Sequence, residues 1–137
     1  MKDKHVVAHM KVAQIYAELS YCTRKQVGCV IVKDENIISI GYNGTPPGWE
    51  NVCEGADGKT LPYVHHAEEN AIGKLAEGTG GGKGASIFIT CAPCFNCAKL
   101  IRRSGITTVY YGEIYGGHVE GLDFLQKCGV KTIHLPV

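Results

Sequence analysis

The chain has no excess of charge of either sign. Lys and Arg number 14 against 13 Asp and Glu, a formal net charge of +1 over 137 residues, and the basic residues are scattered. That removes the electrostatic footprint of a nucleic-acid binder or of a protein held on an anionic membrane. A small anionic ligand, which needs only one or two cations, stays within reach. Long apolar runs are missing too. The N-terminal MKDKHVVAHMKVAQ carries charges throughout, so neither a signal peptide nor a membrane span is expected. There is no internal repeat and no linker, and the length suits one domain over residues 1–137. Tryptophan occurs once, at Trp49. Cysteine breaks the pattern, with 7 residues. An odd number without a secretory signal argues against a fully paired disulfide framework. It points to the reduced cytosol, where clustered thiols bind metal or do chemistry more often than they bridge.

Hydrophobic periodicity organises the chain. Val6, Met10, Ala13 and Ala17 share one helical face, which predicts a helix over 4–19. VGCVIV (27–32) is a continuous β-branched run, as in a strand covered on both faces. The polar turn KDEN (33–36) leads to IISIGYN (37–43), so 27–43 is expected to be a hairpin. Residues 44–64 read as a long irregular loop, of the kind that serves as a lid or binding loop. HAEENAIGKLAEG (66–78) is a helix ended by glycine. GTGGGKG (78–84) follows a helix and precedes a strand, the wrong order for a phosphate cradle, and reads as a turn. ASIFIT (85–90), ITTVYYG (106–112) and VKTIHL (130–135) are strands, alternating with helices over 94–105 and 118–129. After the hairpin this alternation predicts an α/β fold, a mixed sheet with parallel strands and helices on both faces.

The chemistry concentrates in TCAPCFNCAK (90–99). Cys94 and Cys97 stand three apart in the first turn of a helix entered through Pro93. They share a face, and the helix dipole there favours thiolates. A lone C-x-x-C also serves redox and structural zinc sites, but no second pair is present to complete a four-cysteine site. His66 opens the preceding helix and can converge on the same sheet edge. Three ligands leave one coordination position for water, the form of a catalytic zinc site. Glu68, two residues on, points away from the ligand position and is the candidate base that moves protons. Glu69 reads as a solvated helix charge. His-x-Glu followed by Pro-Cys-x-x-Cys is the signature of zinc deaminases.

With these motifs the chain resembles the cytidine and deoxycytidylate deaminase superfamily. TRKQVGCVIV, GYNGTPPGW, HHAEENAIGKL and TCAPCFNCAKLI carry the likeness, and GYNGTPPGW is similar to the deoxycytidylate branch in particular. YCTRKQVGC resembles bacterial and phage members. The resemblance implies a three-layer α/β/α fold with a five-stranded mixed sheet. It implies hydrolysis of dCMP to dUMP and ammonia, supplying thymidylate synthesis, in the cytoplasm (the host's, if the gene is a phage's). It implies zinc on His66, Cys94 and Cys97, and Glu68 as proton shuttle. The backbone N–H of Ala67 would meet the pyrimidine carbonyl, and the carbonyl of Ala92 the amino group. Asn43 would hold the sugar or, through the turn Gly41-Tyr42-Asn43-Gly44, a regulatory nucleotide with Mg2+. Hexamers built from dimers, activated by dCTP and inhibited by dTTP, occur in such families. The alternatives are a zinc deaminase for dCTP, a nucleoside, a free base, a riboflavin precursor or tRNA adenosine, and a non-catalytic zinc-stabilised binding module. An intact Glu68 speaks against the last.

Other residues carry weaker expectations. Arg24 and Lys25 are a solvated turn or phosphate contacts. Tyr115 is a rim aromatic or a substrate contact. Trp49 anchors its loop or touches ligand. Cys29 and Cys128 fall in apolar patterns and are expected to be buried, and Cys91 to fill space. Cys22, Cys53 and His65 are left over. They are expected to form a second, structural zinc site ordering the 44–64 loop, with His5, His9, Glu54 or water as fourth ligand.

Overall fold

The β-branched run near residue 30 becomes an interior strand with both faces buried. In the computed structural model, which describes residues 1–78 and 81–137, the elements run in the order α1 (Asp3–Ala17), β1 (Gly28–Lys33), β2 (Asn36–Tyr42), α2 (Ala67–Glu77), β3 (Ser86–Cys91), α3 (Phe95–Arg103), β4 (Thr108–Glu113), α4 (Glu120–Lys127) and β5 (Lys131–His134). The sheet order is β2-β1-β3-β4-β5. β1 is antiparallel to both β2 and β3, and β3, β4 and β5 are mutually parallel. This is the five-stranded mixed sheet of the α/β/α expectation.

Alternation along β1 divides the core. Cys29 and Ile31 join Ile87, Ile89 and Val109 under α2 and α3, whereas Val30 and Val32 join Phe88 under Val6, Met10 and Ala13 of α1. α1 therefore covers one face, and α2, α3 and α4 the other. Right-handed crossovers between parallel strands require the connecting helices to lie together, which produces this asymmetry. The hairpin turn is tight. Asp34 and Glu35 have φ of 51° and 65°, the left-handed pair that lets a two-residue turn match strand twist.

Observed boundaries fall within about two residues of those expected from periodicity, as frayed helix ends allow. The glycine-rich turn expected over 78–84 includes residues 79 and 80, which lie outside the described residues. One core assignment fails. Cys128 is exposed, because it caps the C-terminus of α4 rather than facing the sheet. The parallel strands all point their carboxyl ends to one edge, where open α/β sheets bind ligands. The N-termini of α2 and α3 meet at that edge.

Candidate active site

His66 is the N-cap of α2 and Cys94 the N-cap of α3. Pro93 and the end of β3 deliver Cys94 to this position, and its sulfur accepts the Cys97 N–H at 3.4 Å. Glu69 accepts the His66 N–H at 3.0 Å, so it caps the helix and is not the merely solvated charge expected of it. His66 Nδ1 lies 3.3 Å from Cys97 Sγ and 3.5 Å from Cys94 Sγ. The three donor atoms sit within 4.8 Å of one another. Zinc with Zn–S of about 2.3 Å and Zn–N of about 2.0–2.1 Å, in tetrahedral geometry, requires N···S edges of about 3.5 Å. The donor set fits that metal.

The charges agree with the geometry. The neighbouring Cys97 thiol, helped by His66, brings Cys94 down to about 4. The bond to Cys94 pushes His66 up to about 9 despite its burial. Cys97, facing the Cys94 sulfur and partly desolvated, is driven far upward. The metal-free cluster is thus a thiolate–imidazolium pair beside a retained thiol, and a divalent ion would displace the protons.

Glu68 points inward and is 4% exposed. Burial lifts its carboxyl to about 7, where it can both accept and donate protons near neutrality. Its position depends on how α2 sits on β2. Gly41 passes so close that a Cβ there would come 2.3 Å from the Ala67 carbonyl oxygen. Cys29 Sγ lies 3.3 Å from that same oxygen. The Ser39 hydroxyl donates to Ala71 O at 2.7 Å, Asn70 to Tyr42 O at 2.9 Å and Lys74 to Ile40 O at 2.7 Å. Four of these contacts come from the consecutive β2 positions Ser39, Ile40, Gly41 and Tyr42, so the strand sets the register of the helix.

A cavity of about 410 Å³ opens over this cluster, lined by Ala67, Glu68, Ala92, Arg24, Asn43 and Tyr115 among others. All five residues named as substrate contacts therefore reach one space. Asn43 does so with its amide already engaged: Oδ1 accepts the Val27 N–H at 2.9 Å and Nδ2 donates to Lys25 O at 2.8 Å. Lys25 forms an ion pair with Glu113, and its Nζ lies 5.5 Å from the centre of the Tyr115 ring. Cys91 is buried as expected and also lines the cavity. Phe95, His118 and Glu54 line it too; none was expected at this cavity, Glu54 being named only as one choice of fourth ligand for the second zinc. His118 follows the Gly116–Gly117 pair, a visible turn signal. The hold of Glu54 on Thr23 and Arg24 left no sequence signal, since these partners lie 31 and 30 residues away.

The leftover residues rearrange. Cys22 and Cys53 are joined as a disulfide with a Cα–Cα distance of 5.2 Å, which corrects the expectation that these thiols are unbridged. His65 is not with them. It faces Glu69 at 3.6 Å, because its place just before α2 turns it toward the outer side of that helix. Glu54 stands in its stead, with a carboxylate oxygen within 4.8 Å of both sulfurs. The cysteine pair, Val64 and Leu61 form a small apolar cluster that orders the long loop, and Trp49 packs on Tyr63 with ring centres 4.8 Å apart and planes tilted by 47°. A second cavity, about 350 Å³, is lined by Tyr42, Asn43, Gly44 and Lys74. Gly41 faces α2 instead.

Residues 3–113 match the cytidine and deoxycytidylate deaminase zinc-binding region. The chain is 33% identical over 132 residues to the deoxycytidylate deaminase of Saccharomyces cerevisiae, covering 90% of this chain but 42% of the yeast protein. It thus spans less than half the length of that relative. The deoxycytidylate deaminase of Enterobacteria phage T4 is 30% identical over 169 residues, covering 93% of this chain and 88% of the phage protein. The crystal structure of dCMP deaminase from cyanophage S-TIM5, in complex with dCMP and dUMP, superposes with a TM-score of 0.95 at 40% identity, covering 98% and 99% of the two chains. Matching spacing, fold and donor geometry agree: the chain belongs to the cytidine and deoxycytidylate deaminase family.

Proposed function

We propose that residues 1–137 form one catalytic domain that hydrolyses dCMP to dUMP and ammonia. The observation that carries this reading is the convergence of His66, Cys94 and Cys97 beside the buried Glu68, at the floor of a cavity that also holds Arg24. The cyanophage relative, whose structure contains dCMP and dUMP, supports the choice of substrate. So do the charges at the rim. Lys25 is paired with Glu113, while Arg24 makes no ion pair among the described residues, which suits one phosphate better than three.

His66, Cys94 and Cys97 would hold zinc, whose chemistry when bound is Lewis-acid activation of water. The chain supplies the rest. Glu68 takes the two protons of the attacking water in turn, passing the first to the ring nitrogen N3 and the second to the amine, which leaves as ammonia. The Ala67 N–H holds the ring carbonyl and the Ala92 carbonyl accepts from the amino group. Together they fix C4 over Glu68. Arg24 binds the phosphate, with Tyr115 closing the rim.

Finer readings accompany this one. In the reduced protein, Cys22, Cys53 and Glu54 would take a second, structural zinc. The second cavity would receive a regulatory nucleotide, dCTP or dTTP with Mg2+. The chain would self-associate, as a hexamer built from dimers, in the cytoplasm. No helix among the described residues is long and apolar enough to cross a membrane.

The test is a spectrophotometric assay over dCMP, dCTP, deoxycytidine and cytosine, with Glu68→Ala as control and metal analysis alongside. The expected result is turnover strongest on dCMP and absent in the control. Reducing buffer should give two zincs per chain. Cys53→Ser should lose one of them and Cys94→Ala the other. Preference for dCTP or deoxycytidine would overturn the substrate assignment, and metal retained by Cys94→Ala the ligand set.

A further inference from the structure

We propose that Glu54 is a positioning residue for the substrate phosphate: it fixes the strap of residues 22–27 so that Arg24 faces the cavity. The proposal rests on the functional reading above. The strap is the irregular segment just before β1. Glu54 Oε1 accepts from the Thr23 hydroxyl at 2.8 Å and from the Thr23 N–H at 3.3 Å, and Oε2 accepts the Arg24 N–H at 3.2 Å. One carboxylate thus grips two consecutive residues through both oxygens, the arrangement by which a fixed anion orders a turn. These bonds outweigh desolvation and hold the Glu54 carboxyl below the usual carboxylate range.

The rest of the strap is tied as well. Asn43 holds Lys25 O and the Val27 N–H. Gln26 donates to Ser20 O at 2.9 Å, and Lys25 is paired with Glu113. With its neighbours held on both sides, the Arg24 guanidinium is presented on a fixed backbone toward the cavity it lines. A guanidinium so placed is a planar fork suited to a phosphate, and pre-ordering it lowers the entropy cost of binding. Glu54 itself would repel a phosphate if it faced one bare. Its oxygens are engaged by strap donors, so its charge supports the arginine's position rather than opposing the ligand.

The experiment compares wild type, Glu54→Ala, Glu54→Gln, Arg24→Gln and the double variant Arg24→Gln/Glu54→Ala. It measures kcat and KM for dCMP, the inhibition constant of inorganic phosphate, melting temperature and zinc per chain. Glu54→Ala is expected to raise KM by about tenfold, with a parallel rise in the phosphate inhibition constant, while kcat moves by less than about twofold. Glu54→Gln, which keeps one acceptor oxygen, should fall between. In the Arg24→Gln background the Glu54 substitution should add little, since coupled residues are not additive. All variants are measured as the oxidised protein, in which Cys22 and Cys53 are bridged; equal losses in both backgrounds, a loss confined to kcat, or a KM change that accompanies loss of the zinc on His66, Cys94 and Cys97 would each overturn the proposal. Wild type inactive on dCMP would instead remove the functional reading, and this inference with it.

Discussion

Glu68 shows how a catalytic carboxylate works against the fold that holds it. Its ordinary value of 4.5 rises to about 7 through burial. The folded, metal-free protein therefore prefers the protonated form, and its stability falls as pH rises from about 4.5 through 7 and is flat above. Glu68→Gln removes that penalty. At pH 8 we expect metal-free Glu68→Gln to be more stable than metal-free wild type by up to about 3 kcal/mol, with the difference vanishing near pH 4. The same substitution should keep zinc and cost about 10²–10⁴-fold in turnover, the usual contribution of a general acid–base group. Paired melting curves and assays across pH check this. A less stable variant at pH 8 would contradict it. At this scale the sequence was informative where chemistry fixes spacing: His66, Glu68, Cys94 and Cys97 announce themselves because helix geometry and metal valence leave few other uses for them. The bonds of Glu54 to Thr23 and Arg24 and the Lys25–Glu113 pair stayed hidden, since each is defined by a partner far along the chain, and nothing local marks such a pairing.

At the scale of elements, the placement of α2 on β2 decides whether the ligand set forms. Gly41 and Gly73 test this with opposite signs. A methyl group at Gly41 would sit 2.3 Å from Ala67 O and 2.8 Å from Ala71 N, whereas at Gly73, on the exposed side of α2, it meets nothing within 4 Å. Gly41→Ala should push the first turn of α2, and His66 with it, away from Cys94 and Cys97. We expect reduced zinc content and a loss of about 1–3 kcal/mol, as for other overpacked contacts. Gly73→Ala should stabilise by up to about 1 kcal/mol through helix propensity. Metal analysis and melting temperatures measure both, and Gly41→Ala with full zinc and unchanged stability would show that α2 is not seated by this contact. The elements themselves were legible, since β1 and α1 each bury a continuous or periodic apolar face. The 44–64 loop was not. Its order comes from Cys22 meeting Cys53, from Leu61 and Val64 packing on them, and from Trp49 on Tyr63. None of these contacts joins neighbours on a helix or strand face, so none leaves a period to read.

At the scale of the whole molecule, the two faces of the sheet are unequally covered. Three helices pack on one face, but α1 alone lies on the other. Beyond it, Tyr110 and Leu135 are only partly buried against the core. Ile15 and Leu19, on or just past α1, are 60% and 51% exposed, and Ile37 of the edge strand β2 is 41% exposed. Ile37 pairs with Val32, whose side chain lies under α1, so Ile37 is on the α1 face as well. Single exposed apolar residues are ordinary on a surface, but several of them on the face beside an open strand edge suit a surface that another copy covers. We expect sedimentation at micromolar concentration to report an oligomer. Charged substitutions on this face, Ile15→Glu with Ile37→Lys, should shift it toward smaller species. They should leave the zinc content of the dissociated chain intact, because His66, Cys94 and Cys97 all come from one chain on the opposite side of the sheet. A wild-type monomer at that concentration would refute self-association. An oligomer unchanged by both substitutions would place the interface elsewhere, on the three-helix face.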